Sequence, residues 1–269
     1  MAPLLVAAAL GAAAASGWRS PATSSYRPRD AALRRLPLLF YPAADTTRPA
    51  RAVVFFFGND VGFWEAHQRL AERLAGDGYA VAGFDVRRFL ASLPDGPAAR
   101  ESAYAAGIAP IIRGARRELG GDSLPLVIGG HSIGAEIALW TAVHVPEPGL
   151  RGVLAMSPGL RGHLRVTLSD LANRGDPREE GSFSVPDLVG ALPRGVRVAL
   201  VRGQHDAYRY ADSALVAAGG ARLERFPVAL AGHSLKKLVL AGPAVERAMT
   251  YLVPPAPSGA PAGRASGSR

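Results

Sequence analysis

Two rhythms of apolar and polar positions run through this chain. Short, nearly unbroken apolar runs occupy residues 52–57, 124–129 and 196–202, each closed by glycine or polar loop residues. Runs of that length, rich in β-branched and aromatic residues, predict strands buried on both faces. Residues 78–84 and 222–227 read as two more strands. Between them lie longer stretches with apolar residues at helical spacing: 63–74, 104–119, 132–144, 207–218 and 235–252. Strand and helix patterns alternating in this way predict an α/β fold, a mostly parallel central sheet with helices on both faces. No internal repeat interrupts the pattern. Residues 157–195 break it, being rich in Gly, Asp, Arg and Pro with little strand character; they read as a short lid-like insertion.

The ends differ from this body. Residues 1–15 form an Ala/Leu run, shorter than the roughly twenty residues that cross a bilayer. With small residues at 13–16, segment 1–16 reads as a signal peptide, although the first basic residue is Arg19. Export to the periplasm or beyond is the expectation. Residues 17–30 then form a linker, 31–253 the folded domain, and 254–269, built from Pro, Ala, Gly, Ser and Arg, a disordered tail.

Chemistry concentrates at the joins between strands and helices. Gly130-His131-Ser132-Ile133-Gly134 is a G-x-S-x-G pentapeptide between an apolar strand and an amphipathic helix. In that context it is a nucleophile elbow: a sharp, strained turn pushes a serine Oγ outward, and the flanking glycines let strand and helix approach closely. A serine nucleophile needs a base, and the base an orienting acid. Asp206 lies in the loop after the strand at 196–202, and His233 in the loop between the last strand and the last helix. The order Ser132, Asp206, His233 is that of α/β-hydrolases. Among the other histidines, His131 fills the variable elbow position, His205 adjoins the acid, His67 and His144 fall in helical patterns, and His163 lies in the lid. Asp212 and Glu224 are fallback acids. The oxyanion hole should take one N–H from Ile133 and a second from Asn59 or Asp60, in the glycine-bounded loop after the strand at 52–57.

Three segments carry a more specific resemblance. Residues 57–64, with Gly58-Asn59-Asp60-Val61-Gly62, look like the S-G-D-G-G-W loop of the bacterial VirJ/AcvB virulence proteins. Residues 78–90 resemble that family's strand and aromatic segment, and residues 130–136 its G-Y-S-F-G-A-D elbow. The likeness runs over about residues 51–251. It implies an α/β-hydrolase fold, export to the periplasm, and hydrolysis of an aminoacyl ester, lysyl-phosphatidylglycerol. The sequence departs from the family in the loop at 59–62, in a reduced aromatic pair, and in Ser234 after the final histidine. A lysyl head would need a carboxylate near the nucleophile, for which Asp60, Glu136 and Asp85 are candidates. Arg87 and Arg88 are candidates for a lipid phosphate.

Composition narrows the classes. A 269-residue chain, 48% hydrophobic, supports one full domain with a large core. It has no cysteine, hence no disulfide framework and no thiolate metal site. The net charge of +9 comes from basic residues spread along the chain, almost all arginine, without a dense run. That pattern argues against nucleic acid as a partner and fits peripheral contact with an anionic membrane. Neither a glycine-rich nucleotide loop nor H-E-x-x-H occurs, so no cofactor and no catalytic metal are expected. The expected function is therefore a serine hydrolase of carboxylic esters. The alternative is a non-catalytic scaffold of the same fold in an envelope or secretion complex.

Overall fold

The computed structural model describes residues 24–172, 175–234 and 238–255, side chains of 238–240 excepted. The proposed signal peptide at 1–16 and the tail from 256 onward lie outside the described residues. Each predicted strand is present within about two residues of its expected bounds: β2 (Val53–Phe57), β3 (Ala80–Phe84), β4 (Leu126–His131), β8 (Arg197–Gly203) and β9 (Leu223–Val228). Two strands of the main sheet were not anticipated, β1 (Leu38–Tyr41) and β5 (Leu150–Met156). Arg151 and Gly152 dilute the apolar start of β5, and β1 is only four residues long. The α-helices among the described residues are α1 (Glu65–Gly76), α2 (Val86–Ala91), α3 (Pro97–Glu118), α4 (Ile133–His144), α5 (Leu168–Leu171), α6 (Val185–Ala191), α7 (Asp212–Gly219) and α8 (Leu238–Leu252). Of these, α3 begins about two turns earlier than its periodicity suggested, because Pro97 pre-sets the first helical position. A 3-10 turn, Ala207–Ala211, replaces the first part of the helix expected at 207–218.

Seven strands form one sheet in the order β1-β3-β2-β4-β5-β8-β9, parallel except for β1. The pleat of β2 explains its uninterrupted apolar sequence. Phe55 and Phe57 join Ile128, Val153, Ile108, Ile112 and Ile137 on one face, beneath α3, α4 and α6. Val54 and Phe56 join Val127, Leu154, Leu70, Leu74, Val245 and Met249 on the other, beneath α1 and α8. Successive side chains point to opposite faces, so a strand covered twice has no polar side to show. Each large apolar side chain buried this way contributes about 1.5–3 kcal/mol.

The chain runs from β2 outward to β3, then crosses back over β2 to β4. The helices after β2 and β4 therefore pack on opposite faces of the sheet, and the loop after β2 meets the first turn of α4 at its carboxyl edge, where α/β proteins place their sites. Across that edge lies the insertion. It is not devoid of regular structure: β6 (Arg161–Gly162) and β7 (Phe183–Ser184) pair as an antiparallel ribbon at its neck, and α5 and α6 belong to it or leave it. Inside, His163 is 2% exposed, with Nε2 2.9 Å from Asp170 Oδ2 and Nδ1 3.1 Å from Glu179 Oε1.

The expected linker at 17–30 needs correction. Its described part, 24–30, is tied to the domain. Ser24 Oγ donates to the Phe40 carbonyl, the Tyr26 ring packs on Phe40, and the Tyr26 hydroxyl and Arg29 N–H both donate to Glu118 Oε1 at 2.8 and 2.7 Å. The polar composition of 24–30 concealed an aromatic anchor, Tyr26.

Candidate active site

The elbow forms because two side chains are missing. A Cβ on Gly130 would stand 2.2 Å from the Gly134 carbonyl oxygen, and one on Gly134 only 2.1 Å from that of Gly58. With hydrogen in their place, α4 starts directly off β4, and the loop after β2 lies against its first turn. Ser132 takes φ 55° and ψ −127°, a left-handed conformation that is costly for a side-chain-bearing residue, and its N–H is held by the Met156 carbonyl at 2.9 Å. Strain of this kind persists where the surroundings fix it.

Ser132, His233 and Asp206 come together from three loops. His233 Nε2 lies 3.0 Å from Ser132 Oγ, and Nδ1 lies 3.1 Å from Asp206 Oδ1. A carboxylate only accepts, so Nδ1 carries the proton and Nε2 is free to receive the serine proton. The Asp206 side chain is fully buried and the His233 side chain 21% exposed. Burial by itself would raise the Asp206 carboxyl. The bond from His233, the Tyr208 N–H at 2.9 Å and the Arg202 guanidinium outweigh it and hold the group far below the usual carboxylate range. Asp206 is thus a fixed negative charge behind the imidazole.

Two residues around this group escaped the sequence reading. Arg202, 4% exposed near the end of β8, donates through Nη1 to Asp206 Oδ2 (3.3 Å), through Nε to Asp212 Oδ1 (2.9 Å) and through Nη2 to the Pro158 carbonyl (2.8 Å). It is a charge at an otherwise apolar strand end, and that break in the pattern was the available signal. Tyr208 lays its ring on His233, with centroids 4.8 Å apart. The fallback acids are accounted for: Asp212 pairs with Arg202, and Glu224 is exposed on β9.

The other predicted residues divide. Ile133 opens α4, where an N–H has no carbonyl one turn back to meet. Asn59 does not offer its backbone donor: its N–H bonds to the Gly62 carbonyl at 3.2 Å and its carbonyl receives Gly62 N–H at 2.9 Å, a tight bridge that glycine at φ 98° permits. Asp60 is half-buried at the tip of that hairpin. Glu136 is not an open anionic contact. It is 8% exposed beneath the root of the insertion, its Oε1 receiving Gly159 N–H at 2.9 Å, and burial pushes its carboxyl up to about 8. Asp85 is raised by burial too; its carboxylate lies against Gly62, with Arg88 3.7 Å away on α2. Arg87 and Arg88 are exposed on that helix. Among the described residues no group of three or more His, Asp or Glu is disposed to hold a metal ion.

No protein-family model matches the chain, and no curated protein matches it. Solved structures do. A Klebsiella pneumoniae protein assigned to the dienelactone hydrolases aligns with TM-score 0.59 at 18% identity, over 80% of this chain and 91% of its own. A soluble variant of the Saccharomyces cerevisiae monoglyceride lipase, in complex with a substrate analog, aligns with TM-score 0.57 at 14% identity, over 86% and 98%. The Pyrococcus furiosus esterase Pf2001 aligns with TM-score 0.55 at 15% identity, over 87% and 98%. The fold is that of the α/β-hydrolases.

Proposed function

We propose that this protein is a serine hydrolase of carboxylic esters. One observation carries the reading: a single imidazole stands within hydrogen-bond reach of both a strained, outward-pushed serine and a buried carboxylate. In the proposed reaction Ser132 Oγ attacks the ester carbonyl carbon while its proton passes to His233 Nε2. Negative charge collects on the carbonyl oxygen, which the N–H of Ile133 and of Asp60 would stabilise. Collapse breaks the C–O bond of the alcohol, which leaves with the proton from His233. Water then repeats the sequence on the acyl-enzyme, releasing the acid and restoring Ser132. Asp206 holds the imidazole in the tautomer and orientation that both halves require.

The substrate class follows from the likeness to the VirJ/AcvB proteins: an aminoacyl ester on a phospholipid, lysyl-phosphatidylglycerol. Asp60 is the carboxylate we assign to the lysyl ammonium. It lies half-buried in the loop whose Gly58 packs against the first turn of the elbow helix, whereas Glu136 is enclosed. Export, inferred from residues 1–16, would bring the enzyme to such lipids, and the net charge of +9 supports attraction to their surface.

A fluorophosphonate probe, with lysyl-phosphatidylglycerol and a neutral short-chain ester as substrates, tests both levels. Wild type should be labelled and should cleave both esters. Ser132→Ala and His233→Ala should lose about three or more orders of magnitude, and their combination little more, because the groups act as one unit. Asp60→Asn should lose activity selectively on the lysyl lipid. Folded wild type that takes no probe would overturn the hydrolase reading in favour of a scaffold. Equal behaviour of wild type and Asp60→Asn on both esters would overturn only the lysyl assignment.

A further inference from the structure

His131 has no part in the reaction just described, yet it is among the most enclosed polar side chains of the molecule, 2% exposed at the end of β4. The strand pleat turns it away from the outward serine beside it, toward α1 and the loop that precedes α8. Its Nε2 lies 2.9 Å from the backbone carbonyl oxygen of His233. Its ring packs 5.2 Å from the His233 ring and 6.1 Å from that of His67, centroid to centroid.

Elementary bookkeeping of protons fixes the state of this ring. A carbonyl oxygen can only accept, so Nε2 carries hydrogen. Nδ1 is buried with no hydrogen-bond partner. A second proton there would be a charge without an acceptor, in contact with two other imidazoles. Burial first, then His233 and His67, accordingly hold this imidazole well below its ordinary value, against the weaker pull of the His233 carbonyl and of Asp206. The ring is therefore a permanent neutral donor with one N–H, aimed at one carbonyl.

That carbonyl belongs to the residue that matters. The loop from β9 passes through Leu230, left-handed at φ 57° although it is not glycine, and is tied by His205 N–H to the Ala231 carbonyl at 2.9 Å. The next tie along the loop is the one from His131 to His233 itself. We propose that His131 is a positioning residue: by holding the main chain of His233 it sets where that ring meets Ser132. Adjacent residues of one elbow then act on the same partner, residue 131 through its backbone and residue 132 through its ring. The inference rests on the hydrolase reading above. It also gives the variable position of the G-x-S-x-G pentapeptide a physical requirement in this chain, namely a buried, uncharged donor.

The test combines NMR on wild type with two variants. Nitrogen-15 histidine spectra should show His131 neutral and protonated at Nε2 from about pH 5 to about pH 9, across the range where an ordinary histidine titrates. His131→Phe keeps an aromatic ring and removes the donor; His131→Gln restores an N–H at similar reach. For His131→Phe, the rate of fluorophosphonate labelling and the kcat for a short-chain nitrophenyl ester should fall about 100-fold with KM little changed, the size expected of a misplacement of about 1 Å. His131→Gln should recover most of that loss. Labelling of His131→Phe at the wild-type rate, or a His131 that titrates near neutrality or carries its proton on Nδ1, would overturn the proposal. If His131→Phe fails to fold, His131→Gln decides together with the spectra: a Gln variant as inert as Ser132→Ala would mean that His131 moves protons and does not merely position. Wild type that takes no probe defeats the hydrolase reading instead, and the spectra alone then decide whether the bond to His233 exists.

Discussion

Glu136 holds a proton where a glutamate ordinarily holds a charge. Burial raises its carboxyl to about 8 from an ordinary 4.5, Asp176 and Asp170 add to the rise, and the single N–H of Gly159 does not offset it. The consequence for stability has a definite sign. Between about pH 4.5 and about pH 8 the folded protein keeps this proton and the unfolded chain has lost it, so folding weakens as pH rises through that window. Glu136→Gln keeps an acceptor for Gly159 and has no proton to lose. Its melting temperature should lie close to wild type near pH 5 and above it at pH 8; thermal melts at both values check this, and a gap that stays constant with pH would refute it. Asp206 behaves oppositely. Its depressed carboxyl contributes stability above its ordinary range that is lost only in strong acid.

At the scale of elements, the elbow is one strand and one helix separated by a single residue, possible only because β2's loop can touch α4. A methyl on Gly134 would meet the carbonyl oxygens of Gly58 at 2.1 Å and Phe57 at 2.8 Å, both backbone atoms that cannot rotate away. Gly134→Ala should therefore lose at least about 1–3 kcal/mol in denaturant titration and most of its probe labelling, since the shift falls on Ser132. Unaltered stability would mean that the strand–helix contact is looser than described. This contact was legible in sequence, because a glycine requirement is local and leaves its mark at a fixed spacing. The three residues of the candidate triad were legible for a related reason: each stands in a turn or loop that follows a predicted strand, and β4, β8 and β9 are those strands. Less could be read where a bond depends on how a loop folds back. Nothing near Asn59 in the chain announces that its N–H belongs to Gly62, and nothing near Arg202 announces Asp206, Asp212 and Pro158 as joint acceptors. Nor did β5 betray itself, with a charge and a glycine where its burial begins.

For the molecule as a whole, charge and cap set the terms of access. With a net charge of +9, the protein should sediment with vesicles containing anionic phospholipid, not with neutral phosphatidylcholine vesicles, and salt of about 0.5 M should release it, since screening then acts within a few ångströms. Binding that is indifferent to both lipid charge and salt would remove the electrostatic account. No helix among the described residues is long and apolar enough to cross a bilayer. The cap that overlies the sheet edge has a property of its own. Its two ends are already joined by the ribbon, Arg161 opposite Ser184 and Gly162 opposite Phe183, while Arg202 grips the chain at Pro158, before the ribbon starts. The entropy of bringing those ends together is borne by the ribbon and not by whatever lies between them. Length inserted there is accordingly penalised only logarithmically, by about 0.6 kcal/mol for each doubling of the loop. A different cap grafted between Gly162 and Phe183 would inherit those closed ends, provided that it fills the place of Leu164 in the core and keeps an acceptor where Asp176 receives Leu160, Arg161 and Tyr210, which makes this neck the natural junction for changing what reaches Ser132.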